Sequence, residues 1–166
     1  MPKKRRLEAL LLTAQDFFER AREASRDADQ CRRQIVELEH RAKSLGGTSF
    51  EPRTRSTPNP QRMEDRIARY VDMEARLAER MDADYKIIDM ACAVLYGTEQ
   101  DGDGGLCKEL SSLSADVLWW RYLDDATWAA VGRKVERSPR TCQSLAKGAL
   151  AWMDETGYAR EIIRFL

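Results

Sequence analysis

The chain has 166 residues, of which 34% are charged and 43% are apolar, and its formal net charge at pH 7 is +0. This length allows one or two small domains, and the composition is typical of a soluble, mainly helical protein. A neutral chain does not coat nucleic acid indiscriminately, so any binding to DNA would depend on a local basic patch.

Neither a metal site nor an active site is indicated. The four cysteines, Cys31, Cys92, Cys107 and Cys142, are widely spaced, and the chain has a single histidine. This pattern argues against zinc and predicts small buried thiols in a reducing cytosol. His40 lies on a polar stretch without a nucleophile or a metal-ligand set beside it. We therefore expect no catalytic residue, no cofactor and no enzyme activity.

No membrane segment is indicated either. No apolar run approaches the roughly 20 residues that a membrane helix needs. The basic segment Lys3-Lys4-Arg5-Arg6 is followed by too short and too polar a stretch for a secretory signal. We expect a cytoplasmic protein that has no membrane partner.

Helical periodicity begins at Leu7. Apolar residues then recur at alternating steps of three and four up to Leu45, without Gly or Pro between them. They are Leu7, Leu10, Ala14, Phe17, Ala21, Ala24, Ala28, Cys31, Ile35, Leu38, Ala42 and Leu45. This heptad pattern predicts a single helix of about 60 Å that needs a partner along its apolar stripe.

A linker is predicted at about residues 46–60. Gly46 and Gly47 end the helix, and the following stretch is rich in Pro, Ser, Thr and Arg without periodic apolar residues. Helical periodicity then returns over about Gln61–Tyr96, at Met63, Ile67, Tyr70, Leu77, Met81, Ile88, Ala91 and Leu95. The two long helices most simply form an antiparallel, coiled-coil-like hairpin, although an intermolecular coiled coil is the competing arrangement.

The segment after Gly97 predicts a turn and then short helices. Asp101 and Asp103 resemble the start of a calcium loop, but the glycine and the glutamate that such a loop requires are missing. We therefore interpret this segment as a turn, with a short helix from Leu106 and a stronger helix capped by Ser114. The aromatic residues that follow are expected to fill the core of the domain, and the apolar tail Tyr158–Leu166 is expected to pack back on the domain or on a partner.

The stretch Ala126–Leu150 predicts a helix-turn-helix. Its first helix would place Trp128, Val131, Gly132 and Val135 inward, and its second would place Cys142, Leu145 and Leu150 inward. Between the helices, Ser138 is a strong N-cap, and Pro139 occupies the first helical position. We therefore assign residues 1–96 to the hairpin and residues 97–166 to a helix-turn-helix domain.

Basic and polar residues dominate the outward face of this motif. Five basic residues stand against one acidic residue, Glu136, between positions 126 and 150. Such side chains bond base edges and phosphates, so double-stranded DNA is the expected partner. The candidate DNA-binding residues are Arg133, Lys134, Arg137, Ser138, Arg140, Thr141, Gln143, Ser144 and Lys147.

The stretch Val117–Leu150 resembles region 4 of bacterial sigma factors. The similarity includes Arg121-Tyr122 before a turn, the pair Val131-Gly132, Ser138 at the start of the second helix and the closing Ala149-Leu150. The whole chain resembles phage-encoded regulators related to the RinA and ArpU late-gene activators. This resemblance implies an all-helical transcription regulator of phage or prophage genes that acts in the cytoplasm of a bacterial host.

Two departures from the sigma-factor pattern concern the turn and the second helix. Sigma factors usually have a Gly-x-Ser turn, whereas this chain has Glu136-Arg137-Ser138, so its turn must form without glycine. Where sigma factors tend to carry Arg-Glu-Arg, this chain has Pro139-Arg140-Thr141. The sequence that it recognises should therefore differ.

Two alternative functions stay open. A DNA-packaging component like a small terminase subunit also combines a helix-turn-helix with long helices, and a helical adaptor would bind a protein through the hairpin. Contact with host RNA polymerase and formation of a homodimer are compatible with the regulator. The sequence indicates neither the operator nor the sign of regulation.

Overall fold

The computed structural model describes residues 13–46, 60–98 and 104–165, without the side chains of residues 45, 46, 60 and 162–165. Within these ranges the protein is all-helical. The helices are α1 (Ala14–Gly46), α2 (Pro60–Tyr96), α3 (Gly105–Glu109), α4 (Ser112–Leu118), α5 (Trp128–Lys134), α6 (Pro139–Thr156) and α7 (Tyr158–Phe165). A single π-helical turn, Trp119–Leu123, extends α4.

The two predicted long helices are present, and they pack together. The heptad residues of α1 from Ala14 to Cys31 are buried, as is Leu38. An ion pair joins Asp27 of α1 to Arg80 of α2, with 2.7 Å between Oδ2 and Nη2. These two residues lie at similar sequence distances from the 47–59 segment, which is the pairing that an antiparallel hairpin requires. The all-helical class and the two long helices are thus confirmed.

The contacts divide the chain into two compact units. One unit contains the described residues of the range 27–83, and the other contains residues 13–26 together with the described residues from Asp84 onward. Each long helix therefore contributes one part to each unit. The boundary that the sequence indicates, between residues 96 and 97, lies inside the second of these units.

The unit of residues 27–83 leaves part of its apolar pattern exposed. Met63 and Ile67, both in the predicted heptad, are 37% and 39% exposed, and Val71 is 57% exposed. By contrast, the heptad residues Ala28, Cys31 and Leu38 of α1 in this unit are buried, and Ile35 and Ala42 are half-buried. The first turns of α2 therefore contribute little to the core of this unit.

The other unit has a continuous hydrophobic core. Its largest fully buried side chains are Phe18, Leu95, Leu106, Leu118 and Met153. Phe18 lies outside the heptad pattern, and it is buried because it packs against Tyr122, with 5.6 Å between the ring centroids. The first turns of α1 are thus covered on two sides, which the periodicity of α1 alone does not predict.

The residue that caps α4 differs from the prediction. Ser111 is the N-cap, and its side-chain oxygen accepts a hydrogen bond from the backbone N–H of Ser114 at 3.4 Å. The prediction that Ser114 caps this helix was therefore wrong. Ser114 is buried in the first turn. Serine is a favourable N-cap residue at either position. The burial of Ala115 and Leu118 therefore decides whether Ser111 or Ser114 caps the helix.

Several predictions fall partly or wholly outside the described residues. These are the start of the first helix at Leu7, the linker up to residue 59, the turn at Asp101 and Asp103, and the side chains of the tail beyond Glu161. Of the tail, Ala159 is buried, and the ring of Tyr158 packs on Trp152 at 5.3 Å. Its first turn therefore packs on the domain, which is one of the two arrangements expected from the sequence.

The cysteines are only partly as predicted. Cys31 and Cys142 are buried free thiols, whereas Cys92 and Cys107 are half-buried. Over the described residues, no group of His, Cys, Asp and Glu side chains could hold a metal ion. None of the helices described here has a stretch long and apolar enough to cross a membrane.

Candidate nucleic-acid interface

Local capping defines the ends of α5 and α6. The Thr127 hydroxyl accepts a hydrogen bond from the N–H of Ala130 at 3.3 Å, and this bond begins α5. The Ser138 hydroxyl accepts from the N–H of Thr141 at 3.1 Å, and Pro139 is the first residue of α6. The predicted N-cap and N1 residues of the second helix are confirmed.

The connection between α5 and α6 is tight, with a close backbone approach at Gly132 and a left-handed conformation at Glu136. The N–H of Arg137 donates to the carbonyl oxygen of Gly132 at 2.9 Å. A Cβ atom on Gly132 would lie 2.6 Å from the carbonyl oxygen of Arg137, so only glycine fits at this position. Glu136 has a φ of +54°, in the left-handed region, so a glutamate takes the conformation that glycine would favour.

Replacing Glu136 with glycine should stabilise this connection. A non-glycine residue in the left-handed region costs roughly 1–2 kcal/mol, and glycine removes this cost. The greater flexibility of glycine in the unfolded chain offsets part of the stabilisation. We expect the free energy of unfolding to rise by roughly 0.5–1 kcal/mol. Unfolding in denaturant measures this free energy for the variant and for the parent. Glu136→Asn is the control, since asparagine also tolerates this conformation, whereas Glu136→Ala should bring no such gain.

The inward faces of both helices match the sequence prediction. Val131, Gly132, Cys142 and Leu150 are buried, and Trp128, Val135 and Leu145 are half-buried. The sequence analysis missed three further buried residues of α6, namely Ala146, Ala149 and Met153. Small side chains at the first two of these positions allow α6 to approach α4 closely.

The outward face carries the predicted polar residues. All nine candidates are exposed: Arg133, Lys134, Arg137, Ser138, Arg140, Thr141, Gln143, Ser144 and Lys147. In the part of the chain that the structure describes, Arg133, Arg140 and Lys147 form no ion pair and no side-chain hydrogen bond. Their charges are therefore available to a ligand.

Four of the nine candidates have partners within the protein. The ammonium group of Lys134 lies 3.5 Å from the centroid of the Trp120 ring and 3.7 Å from Oδ2 of Asp124. The hydroxyl groups of Ser138 and Thr141 are 2.7 Å apart and share a hydrogen bond in the cap of α6. Arg137 donates from Nη1 to the carbonyl oxygen of Glu136. These contacts stabilise the motif and leave less of each side chain free for a ligand.

The charge distribution along α6 is opposite to the usual one. A helix is stabilised by acidic residues in its first turn, because the N-terminal end of the helix dipole is positive. The first turn of α6 contains Arg140 and no acidic residue, and no Asp or Glu occurs before Asp154. The N-terminal half of α6 therefore presents a positive surface that favours anions.

An ion-pair cluster that the sequence analysis missed fixes the segment before α5. Asp125 has a φ of +50°, and its carboxylate accepts hydrogen bonds from Nε of Arg22 and from Nε and Nη2 of Arg26. These bonds, first from Arg26 and then from Arg22, hold the pKa of Asp125 below its ordinary value. Ser25 also donates to the carbonyl oxygen of Leu123 at 2.6 Å. Residues 100 positions apart in the chain thereby orient the candidate interface.

A surface groove of about 340 Å³ lies beside α6. Gln143 and Lys147 line it from α6, and Thr13 and Gln15 line it from the start of α1. Asp154 lies at its edge and accepts a hydrogen bond from the N–H of Ala14 at 2.7 Å. The sequence gives no signal for this contact, because a side-chain cap that comes from a distant residue has no fixed spacing.

No protein-family model, no curated protein and no solved structure matches this chain.

Proposed function

We propose that the chain is a sequence-specific DNA-binding protein that regulates transcription, with α5 and α6 acting as a helix-turn-helix. In this proposal, α6 is the recognition helix, and its N-terminal half enters the major groove of double-stranded DNA. The resemblance to sigma region 4 and to phage late-gene activators extends the proposal to a regulator of phage or prophage genes. Host RNA polymerase and a second copy of the chain are partners compatible with this role.

One observation carries the proposal. The exposed face of α6 presents Arg140, Gln143, Ser144 and Lys147 beside a tight connection, without an acidic residue among them. Arginine binds guanine through two hydrogen bonds, and glutamine binds adenine in the same way. A lysine farther along the helix is placed to contact phosphates. An arginine at the positive end of the helix dipole does not stabilise the helix, so a purely structural role does not explain Arg140.

Enrichment of bound fragments from the phage or prophage genome would identify the site, and fluorescence anisotropy would then measure its affinity over a range of salt concentrations. We expect binding that weakens steeply with salt, because lysine and arginine displace the counterions of DNA. A palindromic site would indicate a dimer. Binding that is absent, or that does not depend on salt, would contradict the proposal.

Arg140→Ala and Lys147→Ala should weaken DNA binding in different ways. Arg140 is in the first turn of α6, so its loss should cost roughly 1–3 kcal/mol on the best site and relax the preference at one base pair. Lys147 lies two turns farther along, so its loss should weaken all sequences similarly and reduce the salt slope by about 1. Anisotropy with the best site and with substituted sites separates the two effects.

Arg20→Ala is the matched control for both variants. Arg20 is an exposed arginine of α1, so this change removes the same charge outside α6. All three variants should keep the melting temperature of the parent, since none of the side chains is in the core. An Arg140→Ala variant that bound every sequence as well as the parent does would show that another surface contacts the bases.

A further inference from the structure

A strip of arginines runs along one side of α2, in the unit of residues 27–83. Its members follow one another at alternating steps of four and three, and they are Arg62, Arg66, Arg69, Met73, Arg76 and Arg80. At 3.6 residues per turn, these six positions fall within about 80° of the circumference of the helix. No Asp or Glu occupies this arc between Arg62 and Arg80. This arginine strip is therefore a basic surface about 27 Å long.

The first four arginines of the strip have no partner among the residues that the structure describes. All four are exposed, and none forms an ion pair or a side-chain hydrogen bond there. Arg80, by contrast, is bonded to Asp27 of α1. Asp65 and Asp72 lie at the edge of the strip, one turn before Arg69 and Arg76, but neither carboxylate is paired with these arginines. Four guanidinium groups are thus available to a ligand.

The neighbouring face of α1 does not neutralise these charges. The ion pair between Asp27 and Arg80 shows that this face of α1 lies beside the strip. Gln34 and Arg41 follow Asp27 on the same face, because seven residues make nearly two turns. Glu37, the other carboxylate on this face between residues 27 and 46, is bonded to Arg41. This face of α1 therefore adds no unpaired carboxylate beside the strip.

The strip does not stabilise the helix that carries it. Arg62, Arg66 and Arg69 are separated by four and three residues, and like charges at these spacings destabilise a helix. Arg62 also lies in the first turn of α2, which contains no acidic residue, although the helix dipole favours negative charge there. A purely structural role does not explain this arrangement, whereas a bound polyanion would remove the repulsion between the arginines.

Phosphates of double-stranded DNA fit the strip better than a protein surface does. A guanidinium group binds a phosphate through two parallel hydrogen bonds. DNA carries one negative charge per about 1.7 Å of its axis, so several phosphates lie along a strip of this length. A protein interface has a core that is depleted of charged residues, whereas Met73 is the one apolar residue of the strip.

We propose that Arg62, Arg66, Arg69 and Arg76 form a second DNA-binding surface, which contacts phosphates of double-stranded DNA. The proposal rests on the proposed function for the identity of the ligand. It adds to the base contacts of α6 a separate contact with the DNA backbone, made by the unit of residues 27–83. The strip supplies affinity rather than base preference, because phosphate contacts carry no sequence information directly.

The test replaces the four arginines with glutamine in the full chain, as R62Q, R66Q, R69Q and R76Q. Fluorescence anisotropy measures the binding of a random-sequence DNA duplex over a range of salt concentrations. Each lost phosphate contact should reduce the slope of log K against log salt concentration by about 0.9, so we expect a reduction of roughly 2–4. The preference for the best site over substituted sites should not change. Glutamine is a good helix former and the four side chains are exposed, so the variant should keep the helix content of the parent.

Two control variants separate the strip from total charge. The first, R20Q, R33Q, K86Q and K108Q, removes four exposed positive charges outside the strip, and it should keep the salt slope of the parent. The second changes the four strip arginines to lysine, which still binds phosphate as a point charge, so it should keep most of the slope.

Three results would overturn the strip. These are an unchanged slope in the glutamine variant, an equal loss in the first control, and a loss in the lysine variant as large as that in the glutamine variant. The double variant R62Q/R66Q should show about half the effect of the fourfold variant, and it tests the same point if the fourfold variant folds poorly.

Failure of the strip and failure of the proposed function give different results. If the parent does not bind DNA at low salt, both fail. If the parent binds and the glutamine variant has the same slope, the proposed function stands and the strip does not contact DNA. If the glutamine variant loses slope but Arg140→Ala keeps the base preference of the parent, the strip stands and the proposed role of α6 fails.

An acidic protein surface, including that of a second copy of this chain, is the competing partner of the strip. In that case analytical ultracentrifugation would show a larger species for the parent than for the glutamine variant, while both would bind DNA equally. This result would overturn the proposal, whereas equal sedimentation together with unequal DNA binding would support it.

Discussion

Gly132→Ala should destabilise the protein by roughly 2–3 kcal/mol, although alanine is the better helix former by about 1 kcal/mol. The added Cβ would lie 2.6 Å from the carbonyl oxygen of Arg137, which is a backbone atom and cannot rotate away. The connection between α5 and α6 would have to open, and the hydrogen bond from Arg137 to Gly132 would weaken. Chemical denaturation at pH 7 measures the change.

Gly148→Ala is the matched control, because it makes the same substitution in a helix that has room for it. A Cβ on Gly148 would meet no atom within 4 Å. We therefore expect stabilisation of roughly 0.5–1 kcal/mol from helix propensity alone. If both variants gained stability, the close approach at Gly132 would be wrong, and the turn would have to be more open than described.

Sequence periodicity was sufficient for the long helices because their apolar residues follow one repeat. The positions from Ala14 to Leu38 repeat in steps of three and four, and the repeat predicts the buried face of α1 without knowledge of its partner. The same repeat failed at Met63 and Ile67, which are partly exposed. Periodicity indicates which residues share a face, but burial depends on what covers that face.

The local start of α6 was also predictable, because capping depends on neighbouring residues. Ser138 and Pro139 determine it within one turn. The left-handed conformation of Glu136 agrees with a turn that must form without glycine. Nothing local, by contrast, distinguishes Ser111 from Ser114 as the cap of α4, since both are serines with a favourable spacing to apolar residues.

Long-range polar contacts could not be predicted from one sequence. Asp125 and Asp154 bond to residues of α1 that lie about 100 or more positions away. The π-helical turn at Trp119–Leu123 places the Asp125 carboxylate toward Arg22 and Arg26, and no repeat in the sequence indicates such a turn. These contacts decide how α5 and α6 are oriented. The sequence therefore predicts the candidate residues but not the contacts with α1 that hold their helices in place.

Replacing Asp125 with asparagine should lower the free energy of unfolding by roughly 1–3 kcal/mol at pH 7, since hydrogen bonds to a charged group are stronger than neutral ones. The Arg22 side chain is only 16% exposed. Water therefore cannot easily take the place of the Asp125 carboxylate as a partner of its guanidinium group. The carboxylate itself is 34% exposed, and screening by solvent keeps the effect below that of a fully buried pair. Asparagine tolerates the positive φ of this position, so backbone strain does not contribute.

The control for Asp125 is an ion pair of the same type at the surface. Glu37→Gln removes the partner of Arg41, in a pair whose side chains are 58% and 60% exposed. Such pairs contribute about 0.3–0.5 kcal/mol in helices. Equal destabilisation by the two variants would show that the Asp125 cluster is an ordinary surface pair and does not fix the segment before α5.

The difference between the parent and Asp125→Asn should disappear in acid. The bonds from Arg26 and Arg22 lower the pKa of Asp125 in the folded state. A carboxylate with a lowered pKa stabilises the fold above its ordinary pKa, and this contribution is lost as the pH falls through the lowered value. Denaturant unfolding of both proteins at pH 7 and at a series of acidic pH values should therefore give curves that converge below the ordinary pKa of aspartate. A difference that stayed constant down to the most acidic pH would mean that the shape of the side chain, and not its charge, holds α1 to the segment before α5.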